Sequence, residues 1–264
     1  MHHGANVDLR DKIIVITGAS SGFGEEIARR CAREGAKLVL AARSADRLAQ
    51  LADELGARDG RALAIPADVA STADVERLAA ATIERFGRAD VLLANAGFGV
   101  LDPIASAPVE DLEEMLAVNV VGVTRTIKAF LPDMLRRRSG QIVIMSSLAG
   151  LIATKNMGFY NASKHALVGL ARTLMLELHG SGVRCALICP GVAATGFQQR
   201  ADERKYARIT RWAPSTSAQV AEATMRALRR NTHGEVLVPG YARILTALYG
   251  PIPALSRLVL RLIG

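Results

Sequence analysis

The sequence predicts an α/β fold, in which a single, doubly wound parallel sheet of about seven strands carries helices on both faces. Two patterns support this fold class. Short, continuous apolar runs recur along the 264 residues, and segments with helical periodicity lie between them. Runs that are apolar throughout are typical of parallel strands that are buried on both faces. The strand–helix alternation favours crossover connections within one sheet.

Seven runs rich in aliphatic residues are predicted as strands, at residues 12–17, 36–42, 61–67, 89–95, 140–146, 183–189 and 234–239. Helices are predicted between them, at residues 23–35, 71–87, 108–137 and 158–180. The first helix ends at Gly35 and the second at Gly87, since glycine adopts the left-handed conformation that closes a helix. The second begins at a Ser-Thr pair, which can cap free N–H groups.

Residues 190–217 form the least regular stretch. This stretch is long for a plain connection, so it predicts a lid or binding loop, with a surface insertion of no function as the alternative. We expect residues 1–240 to form one catalytic domain and residues 241–264 an apolar extension of it. The extension carries apolar residues at helical spacing near its end, which favours packing on protein over a membrane interface.

Composition excludes several classes of protein. Hydrophobic residues make up 50% of the chain and the mean hydropathy is +0.21, which excludes a disordered protein. No apolar run reaches the ~20 residues of a membrane span, and the N-terminus shows no secretory leader. We therefore expect a cytoplasmic protein, with peripheral membrane contact as the alternative.

The three cysteines agree with a reducing compartment. Cys185 and Cys189 lie on one predicted strand at a separation of roughly 13 Å, which is too far for a disulfide. Small core residues are the simplest interpretation of them. His2 and His3 would make a poor metal site at a chain end, and no metal is expected.

The net charge is +8, but the basic residues are spread along the chain. The one tight cluster, residues 136–138, falls where a helix should end, and cations complement the dipole there. The charge therefore favours anionic ligands such as a phosphorylated cofactor, and no nucleic acid is expected as a partner.

A glycine-rich loop, "TGASSGFG" at residues 17–24, follows the first predicted strand. Ligands of open α/β sheets bind outside the carboxyl ends of the strands. Gly18, Gly22 and Gly24 would let backbone approach a pyrophosphate at the start of the next helix. The loop by itself leaves two interpretations open, a phosphate cradle and an ordinary turn with a helix cap.

Tyr160 and Lys164 are four residues apart in a predicted helix, which places them on one face. A lysine cation close to a tyrosine stabilises the phenolate and lowers the tyrosine pKa from ~10. Such a pair is suited to proton transfer with a carbonyl or alcohol oxygen. The alternative is an exposed polar pair with no chemical role.

Further short motifs stand downstream of the loop: "DV" at 68–69, "NAG" at 95–97, "VNVVG" at 118–122, "SS" at 146–147, "YNASK" at 160–164 and "PGVAAT" at 190–195. Together with the glycine loop they resemble the short-chain dehydrogenase/reductase family, over residues 10–240. The resemblance implies a Rossmann-type fold, a nicotinamide cofactor with its diphosphate on the glycine loop, and an oxidoreductase activity.

The resemblance also implies roles for four residues. Tyr160 would be the general acid/base, and Lys164 would lower its pKa and hold the nicotinamide ribose. Ser147 would bond the substrate oxygen, while its neighbour Ser146 would support the turn. Asn119 would hold a water in the proton relay, unless it bonds its own helix backbone instead.

The cofactor contacts that the resemblance implies involve the glycine loop and the ends of later strands. They are Gly18, Ser20, Ser21, Gly22, Phe23, Gly24, Arg43, Asp68, Val69, Asn95, Ala96, Gly97, Tyr160, Lys164, Pro190, Gly191 and Thr195. Asp68 would accept from the adenine amino group and Thr195 would bond the carboxamide. Ala94 and Ala193 depart from the residues usual in the family, Asn and a bulkier aliphatic residue.

The end of the second strand bears on the choice of cofactor. Enzymes that prefer NAD usually carry an acidic residue there. This chain has Ala42 followed by Arg43, and a guanidinium suits the 2′-phosphate of NADP. Ser20 could add a hydroxyl. We therefore expect NADP, with a solvated Arg43 as the alternative.

Apolar residues flank the predicted site, among them Phe98, Leu148, Ile152, Met157 and Phe159. They predict a lipophilic carbonyl or alcohol substrate if they face the nicotinamide, and ordinary core if they do not. Epimerisation or dehydration at the same site, a non-catalytic NADP-binding protein and a membrane-surface protein stay open as alternatives. Related proteins pair through their long helices, so a homodimer or homotetramer is expected.

Overall fold

The computed structural model describes residues 6–193 and 214–249. Within them, seven strands form one parallel sheet with helices on both faces, which confirms the predicted fold class. The strands of this sheet are β1 (Ile13–Thr17), β2 (Lys37–Ala42), β3 (Ala62–Pro66), β4 (Val91–Ala94), β5 (Gly140–Met145), β6 (Val183–Pro190) and β9 (Gly234–Val238). Two short strands, β7 (Val192–Ala193) and β8 (Pro214–Ser215), pair separately on either side of residues 194–213.

The described helices are α1 (Gly22–Arg33), α2 (Ala45–Glu54), α3 (Thr72–Phe86), α4 (Val109–Leu116), α5 (Val123–Arg137), α6 (Gly158–Glu177), α7 (Ser217–Arg229) and α8 (Ala242–Tyr249). A 3₁₀ turn, Leu148–Gly150, precedes α6. The predicted helix 108–137 is three successive pieces, because a π-helical segment, Ala117–Gly122, joins α4 to α5. The apolar residues at helical spacing near the end of the extension lie outside the described residues, as does most of the predicted lid.

The strand order is β3-β2-β1-β4-β5-β6-β9. The chain builds outwards from β1 to β3 and then returns to place β4 on the other side of β1. Val15 of β1 accordingly pairs with Val39 on one side and Leu92 on the other. This reversal leaves a crevice above the carboxyl ends of β1 and β4, which is where open α/β sheets bind ligands.

Two apolar layers sandwich the sheet. One side of β1 packs against α1, α2 and α7, through residues such as Ile27 and Leu228. The opposite side packs against α3, α5 and α6, through residues such as Phe130 and Leu167. Every residue of β1 is buried, because neighbours on both faces cover it. This burial explains why the sequence of β1 is a nearly continuous run of apolar residues.

The cysteines belong to these layers. Cys31, Cys185 and Cys189 are buried free thiols, which confirms their interpretation as core residues. Burial raises the pKa of each thiol to about 12. They are therefore thiols rather than thiolates at neutral pH.

One helical stretch among the described residues, Val109–Arg137, is long and apolar enough to cross a membrane by length and composition. Its α5 portion lays Ile127, Phe130 and Met134 on the sheet. A helix that packs on the core of a folded domain meets the same test of length and composition, so the stretch is weak evidence for a membrane span.

Candidate active site

A cavity of about 610 Å³ lies above the carboxyl ends of β1, β2, β4, β5 and β6. Most of the residues predicted from the motifs line it: Gly18, Ser20, Ser21, Gly22, Phe23, Arg43, Asp68, Val69, Asn95, Ala96, Gly97, Ser147, Tyr160, Lys164, Pro190 and Gly191. Gly24 and Asn119 lie behind its wall, and Thr195 lies outside the described residues. Strands distant in sequence thus bring the motifs to one crevice.

The glycine loop is shaped by two left-handed residues, Gly18 with φ +65° and Gly22 with φ +59°. Gly24 meets a different constraint, because a Cβ there would collide with the carbonyl oxygen of Gly18 and lie 2.7 Å from Asn95 Nδ2. Ser21 is the N-cap residue of α1, but its side chain makes no capping bond. The loop therefore presents the start of α1, with its free N–H groups, to the cavity.

Thr17 and Asn95 fasten this loop to the end of β4. The backbone N–H groups of Asn95 and Ala96 donate to Thr17 Oγ1 at 3.0 and 3.1 Å. Asn95 Nδ2 donates to the carbonyl oxygens of Thr17 and Gly18 at 3.0 and 3.2 Å. The asparagine side chain therefore positions the loop. Sequence reasoning missed Thr17, although it stands at the start of the quoted motif.

Tyr160 and Lys164 meet as the helical spacing predicts. The ammonium Nζ lies 5.7 Å from the centroid of the tyrosine ring, and both residues are buried on α6. Nζ also donates to the carbonyl oxygen of Met145 at 3.3 Å. Burial lowers the pKa of Lys164 to about 8, so the side chain is mainly a cation at neutral pH. A Cβ at Gly97 would lie 2.9 Å from Asn119 Oδ1, so glycine allows the loop after β4 to approach that side chain closely.

The two serines after β5 differ in their hydrogen bonds. Ser147 Oγ accepts from the N–H of Ala149 at 3.1 Å and so caps the 3₁₀ turn. It also donates to the carbonyl oxygen of Pro190 at 3.4 Å. The prediction that Ser146 supports the turn is wrong, because its buried Oγ has no hydrogen-bond partner among the described residues.

Asn119 lies in the π-helical segment and is fully buried. Its Oδ1 accepts from the N–H of Phe98 at 3.0 Å, and its Nδ2 donates to the carbonyl oxygen of Phe98 at 2.9 Å. Nδ2 also donates to Ser163 Oγ at 3.1 Å. These bonds join the loop after β4 to α6, so the alternative that Asn119 bonds its own helix is wrong.

The far end of the cavity, beyond β2, is lined by Ala42, Arg43, Ser44 and Arg47. Ala42 is buried, while both arginine side chains are exposed. Arg47 belongs to α2 and was not anticipated, because the sequence analysis considered only the residues directly after the strand. Asp68 lines the same end, and its Oδ1 accepts from the N–H of Ala70 at 2.9 Å. The cavity thus offers two guanidinium groups near the end of β2.

The other end is largely apolar and surrounds Tyr160. Phe98 and Met157 line it as expected, and Leu101 and Val118 were not anticipated. Leu148 packs with the sheet core, which was the other interpretation of the flanking apolar residues. Glu114 adds a carboxylate to this wall. Among the described residues, no group of three or more His, Cys, Asp or Glu could hold a metal ion.

These features fit a nicotinamide dinucleotide. The glycines form a cradle that a Cβ would fill, and the start of α1 offers N–H groups where a diphosphate would lie. The buried Oγ of Ser146, which has no hydrogen-bond partner among the described residues, offers a polar contact in the cavity that Lys164 and Ser147 also line. Arg43, Arg47 and Tyr160 all line this one cavity, which therefore extends from the end of β2 to α6.

Comparison with known proteins decides the family. A family model described as short chain dehydrogenase matches residues 12–206. The chain belongs to the short-chain dehydrogenase/reductase family. It is also 43% identical over 188 residues to oxidoreductase UcpA of Salmonella typhimurium, a match that covers 71% of each protein. The chain is therefore an oxidoreductase of this family.

Two solved structures of the family resemble this oxidoreductase. A short-chain dehydrogenase/reductase of Burkholderia phymatum, in complex with NAD, is 32% identical with a TM-score of 0.85, over 95% of this chain and 96% of that one. An alcohol dehydrogenase of Thermococcus sibiricus, complexed with 5-hydroxy-NADP, is 34% identical with a TM-score of 0.76, over 86% and 96%. Similar structures thus carry either kind of nicotinamide cofactor.

Proposed function

We propose that this oxidoreductase uses NADP(H) to interconvert a carbonyl compound and a secondary alcohol, with Tyr160 as the general acid/base. The observation that carries the proposal is the burial of Tyr160 beside the Lys164 ammonium, 5.7 Å from its ring centroid, in the wall of the large cavity. A cation at this position favours the charged phenolate over the neutral phenol. Such a pair is suited to proton transfer with a carbonyl or alcohol oxygen.

The chain's own residues would handle the proton, while the bound nicotinamide would supply or accept the hydride. Tyr160 would donate its proton to the substrate oxygen in reduction and take it back in oxidation. Ser147 would donate a hydrogen bond to the same oxygen, in place of its long 3.4 Å bond to Pro190. Asn119 would position these residues indirectly, because its hydrogen bonds hold the loop after β4 against α6.

The shape of the cavity supports a lipophilic substrate. Phe98, Leu101, Val118 and Met157 form most of the wall around Tyr160. Leu101 and Met157 pack with the tyrosine ring in a buried apolar cluster. An alkyl or aromatic group attached to the reacting carbon would bury apolar surface there, at about 25 cal/mol for each Å² removed from water.

The choice of NADP rests on charge at the end of β2. Ala42 provides no carboxylate for the ribose hydroxyls of NAD, and Arg43 and Arg47 both line that end of the cavity. Guanidinium groups bind phosphate oxygens through paired hydrogen bonds. Two of them would bind the 2′-phosphate more tightly than the single arginine considered from the sequence.

The role of Tyr160 is tested by Tyr160→Phe, which removes the hydroxyl and keeps the ring. With an aldehyde, ketone or secondary alcohol that the native protein turns over, kcat should fall by roughly 10² or more. Cofactor affinity should persist, and Tyr241→Phe, at an exposed tyrosine, should leave both quantities unchanged. Turnover close to that of the native protein would remove Tyr160 from the mechanism.

The cofactor choice is tested by Ala42→Asp, which sets a carboxylate where the 2′-phosphate would bind. Calorimetric titration should show weaker NADPH binding and a preference that moves towards NADH. Arg47→Gln should weaken NADPH at least tenfold and leave NADH within about threefold. Native protein that binds NADH more tightly than NADPH would contradict the arginine argument.

The same proposal includes a homodimer or homotetramer formed through the long helices. Leu176 at the end of α6 is 78% exposed, and Leu135 on α5 is 40% exposed. Large apolar side chains in such positions gain most when a neighbouring copy covers them. Sedimentation at several protein concentrations will give the assembly, and a monomer at all of them would exclude it.

A further inference from the structure

A second cavity, of about 480 Å³, lies between α6, β9 and α8. It shares no described lining residue with the cavity that holds Tyr160. Its volume falls within the range of small-molecule sites, ~300–1,000 Å³. Charged side chains from three different elements meet in its wall, namely Arg172 of α6, Glu235 of β9 and Arg243 of α8.

Glu235 organises the two arginines. Its Oε1 accepts from Arg172 Nε at 2.6 Å and its Oε2 accepts from an Arg172 terminal nitrogen at 3.3 Å. Its backbone carbonyl oxygen accepts from Arg243 at 3.2 Å. One residue therefore fixes both guanidinium groups at the edge of the same cavity. Each group carries five N–H donors, so these bonds leave donors for a further acceptor.

The charge balance favours an anion. Among the described lining residues, two permanent cations face one carboxylate, and the carboxylate is the more buried partner of the ion pair, 27% exposed against 56% for Arg172. His165 stands on the same wall. The whole chain also carries a net charge of +8, which raises the local concentration of anions.

We propose that this second cavity, the arginine cavity, binds a small organic oxyanion, a carboxylate or phosphate group held between Arg172 and Arg243. Guanidinium groups match the geometry of such oxyanions through paired, charge-assisted hydrogen bonds. Leu151, Leu237 and Ala247 complete the wall, and they would contact the carbon skeleton of the ligand. This site is separate from the proposed cofactor and substrate sites.

The arginine cavity adjoins the helix that carries Tyr160 and Lys164. His165 directly follows Lys164 in sequence, and Gly150 in the cavity wall packs on the same helix turn, where an added Cβ would lie 2.5 Å from the Lys164 carbonyl oxygen. A ligand in this cavity therefore contacts the structure that positions the active-site lysine.

The proposal is tested by calorimetric titration of succinate and, separately, inorganic phosphate, at ionic strength held constant with NaCl. The protein is first saturated with NADPH, or with NADH if it prefers that cofactor. The cofactor then occupies the anion-binding groups of the large cavity, and the probes cannot bind there. Native protein should bind at least one of the two probes saturably, with a Kd of about 1 mM or below.

Two substitutions should change this affinity in opposite directions, and a third serves as the control. Arg243→Gln should weaken binding at least tenfold, whereas Arg184→Gln, at an exposed arginine outside the cavity wall, should leave it unchanged. Glu235→Gln should strengthen binding, because it removes the carboxylate that competes for Arg172. Thermal unfolding of each variant identifies any that fails to fold. Absence of saturable binding, equal affinities in the two arginine variants, or weaker binding in a folded Glu235→Gln protein would overturn the proposal.

Discussion

Replacing Lys164 by methionine should stabilise the protein in the absence of cofactor. Lys164 is 4% exposed, and its burial lowers the pKa from 10.5 to about 8. A pKa unit corresponds to about 1.4 kcal/mol, so holding the cation in the fold costs about 3 kcal/mol wherever both states are charged. Methionine has a similar length and carries no charge, but it loses the 3.3 Å bond to Met145, which contributes about 1 kcal/mol. The net gain is about 2 kcal/mol.

The gain should depend on pH in one direction. Below pH 8 Lys164 is protonated in both the folded and the unfolded chain, so the whole penalty is present. Between pH 8 and 10.5 the folded protein loses this proton before the unfolded chain does, and the penalty shrinks. The advantage of Lys164→Met should therefore be largest below pH 8 and should disappear towards pH 10.5.

Urea unfolding from pH 6.5 to 9.5, together with thermal unfolding, measures the effect. A gain of about 2 kcal/mol raises the Tm by roughly 4–8 °C for a chain of this size. Lys128→Met, at an exposed lysine of α5, is the matched control and should show no such pH-dependent gain. A Lys164→Met protein that is no more stable than the native one at pH 7, or whose gain is constant with pH, would refute the argument.

Two further substitutions probe the packing behind the site. Gly24→Ala should weaken cofactor binding at least tenfold and destabilise the fold by about 1–3 kcal/mol, because the new Cβ would collide with Gly18. Gly169→Ala adds a Cβ that meets open space on α6, so it should change neither cofactor affinity nor stability. Equal cofactor affinities of the Gly24→Ala and Gly169→Ala proteins in calorimetry would contradict the argument. Asn119→Asp removes the donated bonds to Phe98 and Ser163 and sets a carboxylate oxygen against the carbonyl oxygen of Phe98. It should lower the free energy of unfolding by at least about 2 kcal/mol, and an unchanged urea midpoint would count against it.

Local patterns were sufficient to predict most of the fold. The seven strands of the large sheet were found because burial on both faces leaves a continuous apolar run, as in β1 and β6. The meeting of Tyr160 and Lys164 followed from helical spacing alone, and the structure confirms that they meet. Their chemical roles remain a proposal.

The parts that were missed depend on contacts between distant segments. Arg47 reaches the cavity only because α2 begins beside the end of β2, and nothing in the local pattern separates it from other surface arginines. Thr17 matters through bonds to residues 78 and 79 positions later. The motifs named Asn119, but its contacts were missed, because one regular helix was predicted across residues 108–137 where the structure has a π-helical segment.

That π-helical segment also joins two helices that pack against different parts of the protein. Upstream, α4 is held by Met115, which packs in the cluster around Tyr160. Downstream, α5 is held by Ile127, Phe130 and Met134 on the sheet. A π turn contains one residue more than an α turn, and each residue rotates a helix by roughly 100°. Deleting a single residue between 117 and 122 would allow a regular helix, but it would turn α4 relative to α5 by about that angle. After such a deletion, α4 could keep its contacts in the cluster around Tyr160 only if α5 gave up its contacts with the sheet. Insertions and deletions should therefore be far less tolerated here than in an exposed loop.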